Sequence, residues 1–171
     1  MSSPEFFDPS AIEPLLPPPP PPAANYLPVR EADGLLFVAG QTPHIAGELP
    51  IRGRVGAEVS PEEARRLARG AALNALSALG AHLGGLEKIA RIVTVTGYVA
   101  ATPEFTAHPA VIDGASEVLI ECLGEAGRHS RAAVGVASLP DGAPVEVSVI
   151  AQRRVPHSAE ATPGAARSLQ A

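Results

Sequence analysis

One stretch of this chain carries the marks of both its ends. "SPEEARRLARGAALNALSALGAHLGG", residues 60–85, opens with Ser60 as a helix N-cap, Pro61 at the first helical position and Glu63 where a capping box needs it. Gly84 and Gly85 stop it. Leu67, Ala71, Ala75 and Ala78 make a narrow face of small residues, and Leu73, Leu76, Leu79 and Leu83 widen it. Small residues let a helix lie close on a sheet, so the rest of the chain should supply one.

Strand-like segments flank that helix. "GLLFVAGQTP" (34–43) reads as a strand that ends at Gly40, and "RGRVGAEVS" (52–60) as a glycine-spaced loop or short strand. "KIARIVTVTGYVA" (88–100) alternates apolar and polar residues and is rich in Val and Thr, the mark of a strand. Residues 102–127 hold a second helix, from near His108 to Gly124. "SRAAVGVASL" and "APVEVSVIAQRR" follow as two strands joined by the turn chemistry of "PDGA". The order β, β, α, β, α, β, β predicts an α+β fold, with both helices on one face of a mixed sheet. The other sheet face is then bare, and such a face is usually buried in an oligomer.

The folded body is expected over 25–154. It is one domain by length, with a core that must be aliphatic, since 46% of the 171 residues are hydrophobic but only 4% aromatic. Residues 1–24 form a proline-rich extension whose six prolines, Pro17 to Pro22, favour polyproline II and read as a spacer or surface brace. Residues 155–171 are small, polar and aperiodic, and are expected to be disordered. A net charge of −5 argues against nucleic-acid binding, which needs a basic face. A single cysteine cannot form an internal disulfide. No apolar run reaches about 18 residues, and the acidic, proline-broken start is unlike a signal peptide, so the expectation is a cytoplasmic protein.

The charged residue that most needs explaining is Arg131, which opens the run "RAAVGVASL". By alternation, Ala132, Val134 and Val136 share one strand face, the one that suits the helix-packed core. Arg131, Ala133, Gly135 and Ala137 share the other, leaving room around a guanidinium. Glu146 is likewise embedded among valines. If the last two strands are antiparallel neighbours, residues 131 and 146 sit roughly level. An Arg131–Glu146 ion pair that only fixes register is one account. The other is an arginine that takes a ligand carboxylate bidentately, with a glutamate nearby to handle protons or water. The five histidines and Cys122 show no metal-ligand spacing, so no metal is expected, and Cys122 reads as a packed core thiol. His129 fits a cleft or a strand end equally well, and Asp113 reads first as a helix-surface residue that could also line a site.

"GLLFVAGQTP", "AALNALSAL", "SRAAVGVASLP" and "VEVSVIAQRR" together resemble the signature blocks of the Rid family, the YjgF-like reactive-intermediate deaminases. The likeness covers about residues 25–154. It implies a chorismate-mutase-like homotrimer with clefts between subunits. It also implies cofactor-free hydrolysis of small enamines and imines, such as 2-aminoacrylate, to ketoacids and ammonia. By position, Arg131 matches the family's carboxylate-binding arginine and Glu146 its water-positioning glutamate. Tyr26 matches the cleft tyrosine and Gly40 the glycine of a Ser-Gly-Gln turn, and His129 is expected to line the same cleft. The chain departs from the pattern at Ala39 in place of that serine, Ala133 in place of a cysteine, "ANYLPV" (24–29), and "HPAVIDGASE" (108–117) in place of an Asn-rich start. These changes mark a divergent branch. They leave two other uses of the cleft open, a non-catalytic trimer that binds a small carboxylate and a tautomerase or cyclase. The RNase activity sometimes attributed to the family suits the acidic charge least.

Overall fold

The structure, a computed structural model, describes residues 16–19, 21 and 24–155. Most of the proline-rich extension and nearly all of the C-terminal tail lie outside the described residues. Strands β1 (Val29–Ala32) and β2 (Leu35–Gln41) precede helix α1 (Pro61–Leu83). Strand β3 (Ile89–Ala100), helix α2 (His108–Leu123), β4 (Ser130–Val136) and β5 (Val145–Arg153) follow. The five strands form one mixed sheet in the order β1-β2-β5-β3-β4. Only β3 and β4 run parallel, because α2 carries the chain back between them.

Helix α1 begins and ends where its sequence says it should. The Ser60 side chain accepts from the Glu63 N–H, Glu63 reaches back to the Ser60 N–H, and Gly84 closes the helix in the left-handed conformation. Caps of this kind are each worth about 1 kcal/mol. Ala64, Ala68, Ala71 and Ala75 are fully buried, as are Val145 and Val147 of β5 beneath the helix layer. Helix α2 lies beside α1. Gly114 sits where a Cβ would strike the Arg65 backbone carbonyl, and Arg65–Glu117 and Arg69–Glu121 ion pairs cross the seam. Exposed pairs of this sort contribute little, under about 1 kcal/mol each, so the close glycine contact defines the crossing more than the charges do. The α+β expectation therefore holds, with both helices on one face of the sheet.

Four expectations are corrected. First, the second strand ahead of α1 is Val29–Ala32, which precedes "GLLFVAG", and residues 52–60 take the loop alternative rather than the strand. Asp33 and Gly34, at φ +48° and +77°, make a two-residue turn that pairs Ala32 with Leu35. Residues 52–60 form a loop whose Val55 is bridged to Ala101, just beyond the end of β3. Second, β4 and β5 are not neighbours. The chain leaves edge strand β4 through a short 3-10 turn at Pro140–Gly142 and crosses β3 to insert between β3 and β2. Third, the faces of β4 are reversed. Ala133 packs on the core side, and a Cβ on Gly135 would lie 2.5 Å from His108 Nε2 at the start of α2, while Val134 is 41% exposed. The small residues are there to admit the helix, the same logic that shapes α1.

Fourth, Arg131 and Glu146 do not meet within one chain. Arg131 is paired with Val95 of β3, which is fully buried under the helices. Glu146 is paired with Tyr98, three residues along β3 and on the other face. The ion-pair account fails on this register. The sheet face left bare is that of Phe37, Tyr98, Val134, Glu146 and Ile150, not that of Arg131, Ala133 and Gly135.

Candidate active site

Glu146 stands on the open face of central strand β5. On one side its cross-strand neighbour is Tyr98. On the other is Gly40, where a Cβ would overlap the Glu146 carboxylate. That overlap is why a glycine stands there. A ladder irregularity between Val38 and Gln41 turns the end of β2 at this point. The loop beyond is held by buried Asn74 of α1, whose Nδ2 donates to the carbonyls of Thr42 and His44 at 2.9 and 3.0 Å. Burial pushes the Glu146 carboxyl above the usual range, and no hydrogen-bond or charged partner meets it among the described residues. A half-buried, unpartnered carboxylate is suited to holding a water and accepting its proton. Tyr26 is 44% exposed and lies just before β1, near the Gly40 end of β2, since Pro28 accepts from the Ala39 N–H. The structure thus brings together Gly40 and Glu146, with Tyr26 at the same end of the sheet.

Arg131 belongs to a second cluster, on the helix side of edge strand β4. Its Nη1 donates to Asp113 Oδ1 at 2.8 Å and to Ser116 Oγ at 3.0 Å. Asp113 and Ser116 are three apart on α2 and so share a face. Ser116 Oγ also lies 3.0 Å from His129 Nε2, and His129 Nδ1 lies 2.6 Å from the Gly127 carbonyl. A carbonyl only accepts, so Nδ1 carries the proton and Nε2 accepts from the Ser116 hydroxyl. Burial, and secondarily the Arg131 charge, hold the His129 pKa below the usual histidine value, which keeps this neutral form in place. Donation therefore runs outward from Arg131, to Asp113 on one side and through Ser116 and His129 to the Gly127 carbonyl on the other. A cavity of about 370 Å³ lined by Phe105, His108, Gly135 and Val136 lies farther along the same edge.

Sequence reasoning singled out Arg131, Glu146, Gly40, Tyr26 and His129. It reads Asp113 first as a helix-surface residue that could also line a site, and does not find Ser116 or Tyr98. The spacing of 113 and 116 on one helix face was the available signal for Ser116, and the alternation Thr94, Thr96, Tyr98 for the tyrosine. Cys122 is buried, and burial pushes its thiol pKa up, as suits a packed core thiol. Among the described residues, no three His, Cys, Asp or Glu side chains converge as a metal site would require. No described helix is long and apolar enough to cross a membrane.

Residues 16–152 match the family model described as "YjgF/chorismate_mutase-like, putative endoribonuclease". Protein TCP17 of Trypanosoma cruzi is 36% identical over 145 residues, covering 80% of this chain and 86% of that protein. The crystal structure of Atu1372 from Agrobacterium tumefaciens, a protein of unknown function, is 44% identical with a TM-score of 0.75. It covers 77% of this chain and 84% of its own. A structure described as a putative endoribonuclease from Shewanella oneidensis is 33% identical with a TM-score of 0.77, covering 80% of this chain and 91% of its own.

Proposed function

The chain belongs to the YjgF/chorismate-mutase-like family, and from that premise we propose that it hydrolyses small carboxylate-bearing imines and enamines to ketoacids and ammonia, in clefts between the subunits of a homotrimer. The observation that carries this reading is the separation of Arg131 and Glu146 onto opposite faces of one sheet. Two groups so placed act on one small molecule only if a second copy brings its own. Arg131 stands on edge strand β4, at the rim of the sheet, where a neighbouring subunit can reach it.

In this reaction the substrate carboxylate docks on the Arg131 guanidinium. Glu146 of the adjoining copy accepts a proton from a water whose oxygen bonds to the C=N carbon. The nitrogen takes up that proton and then the one left on the oxygen, the C–N bond breaks and ammonia leaves, so the carbon keeps the water oxygen as the new carbonyl; an enamine enters after gaining a proton on carbon and losing one from nitrogen. The electrons and atoms balance without a cofactor. The desolvated Glu146 carboxyl is a stronger base than an exposed one, which suits this task. A net charge of −5 and an arginine already facing an acidic side chain favour a small carboxylate over an RNA substrate.

Turnover of 2-iminopropanoate, followed as ammonia release, tests the proposal beside the melting temperature. Arg131→Lys keeps the charge but loses the planar fork, so activity should drop by about ten- to a hundredfold while the fold survives. Unchanged turnover in Arg131→Lys would remove the anchoring role. A wild-type protein that binds small carboxylates without changing them would instead be a binding trimer.

A further inference from the structure

A serine inside a helix can spend its hydroxyl on a carbonyl one turn back, as Ser77 of α1 does on Leu73 at 2.9 Å. Ser116 of α2 does not. Its hydroxyl donates to His129 Nε2 at 3.0 Å and accepts from Arg131 Nη1 at 3.0 Å, and it makes no other hydrogen bond among the described residues. The His129 ring is oriented from behind, since Nδ1 donates to the Gly127 carbonyl at 2.6 Å. Gly127 packs so closely on α2 that a Cβ there would strike the Leu119 carbonyl. The group that orients the imidazole is therefore fixed to the same helix that carries the hydroxyl. Burial holds the His129 pKa below the usual histidine value, so the ring stands neutral and able to take a proton. A hydroxyl, a neutral imidazole within hydrogen-bond reach and a third group that orients the imidazole are the parts of an activated nucleophile.

We propose that Ser116 and His129 form a nucleophile–base pair that hydrolyses small carboxylic esters, an activity separate from imine hydrolysis and without a part for Glu146. Both side chains are half-buried, which limits the ester to a small one. Ser116 gives its proton to His129 Nε2 as Oγ bonds to the ester carbonyl carbon, and the C=O electron pair moves onto the oxygen. The Arg131 Nη1–H that pointed at Oγ now lies beside that negative oxygen and stabilises it. Asp113 accepts from the same Nη1 and holds the guanidinium in place. The electron pair returns as the bond to the alcohol oxygen breaks, and the leaving oxygen takes the proton from His129. Water then repeats the steps on the acyl-serine. Its proton passes to His129, its oxygen bonds to the acyl carbon, and the C–Oγ bond breaks with the proton returned to Ser116. A water is consumed, an acid and an alcohol are released, and nothing is oxidised or reduced.

The full-length protein treated with diisopropyl fluorophosphate, which phosphorylates activated serines, tests this. Peptide mass spectrometry locates the adduct, and p-nitrophenol release from p-nitrophenyl acetate reads turnover. The wild type should carry the adduct on Ser116 and turn the ester over repeatedly. Ser116→Ala should lose both. His129→Gln removes the base and should slow both by at least about a hundredfold. A wild type that takes no adduct, takes it on another residue, or releases a single burst of p-nitrophenol and stops overturns the proposal. So does a folded His129→Gln labelled at the wild-type rate, which would leave Ser116 and His129 as supports for Arg131. If His129→Gln does not fold, His129→Asn reads the same rate, and the wild-type adduct needs no variant. Imine turnover has no part in these readouts, so this proposal and the imine reading fail separately.

Discussion

At the scale of single residues, Gly40 and Glu146 show how a site is held open by an absent side chain. A methyl group at Gly40 would overlap the Glu146 carboxylate, but that carboxylate is the free end of a flexible chain and can swing away. Gly40→Ala should therefore lower turnover at least about tenfold, with only a small change in melting temperature. A large loss of stability would show that the glycine serves the backbone instead. Glu146 itself should give the rate profile its acid limb. Its carboxyl titrates above the ordinary range because burial disfavours the charge, so activity should fall off with acid at a midpoint above that of a free glutamate. Glu146→Gln should abolish both the activity and the limb. The same shift has a stability consequence of opposite sense. Unfolded, the group ionises near its ordinary value, and folded only higher, so it favours the fold at low pH and that contribution is lost as pH rises through the raised value. Both residues were legible in the sequence as a glycine at a strand end and a charge among valines. Asp113 was legible only as the lesser of two readings, because a helix-surface carboxylate becomes distinctive only once β4 is seen to bring Arg131 against it.

At the scale of elements, the helices were easier to read than the sheet. Capping and glycine stops are local signals, and they placed α1 to the residue. Strand partners are set by distant segments. "PDGA" has the composition of a hairpin turn, yet Asp141 at φ +55° closes a 3-10 turn from which the chain crosses to another sheet position. The reversed faces of β4 follow from the same limit, since alternation says which residues share a face but not which face meets the helices. What does meet them is set by close packing, most tightly where Gly114 of α2 adjoins the Arg65 carbonyl of α1. A backbone carbonyl inside a helix cannot turn aside. Gly114→Ala should cost roughly 1–3 kcal/mol by forcing the helices apart, seen as a lowered midpoint in chemical denaturation. An unchanged midpoint would show that the seam can relax.

At the scale of the whole molecule, the open sheet face is the remaining demand. Phe37 and Val134 are 42% and 41% exposed on it, with Ile150 and Glu146 between. Element order suggested a covered face and the family resemblance suggested three copies, but strand alternation put that face on the Arg131 side, and the register puts it on the side of Glu146. The register also places Arg131 and Glu146 where one chain cannot use both. Light scattering at micromolar concentration should report about three chains per particle. The more searching measurement mixes two inactive variants, Arg131→Ala and Glu146→Gln, unfolded together and refolded at equal concentrations. Every ring that contains both kinds of chain has one interface where an intact Arg131 faces an intact Glu146, so the mixture should recover about a quarter of wild-type activity, while each variant refolded alone stays inactive. Mixed trimers that form and recover nothing would contradict a site shared between subunits.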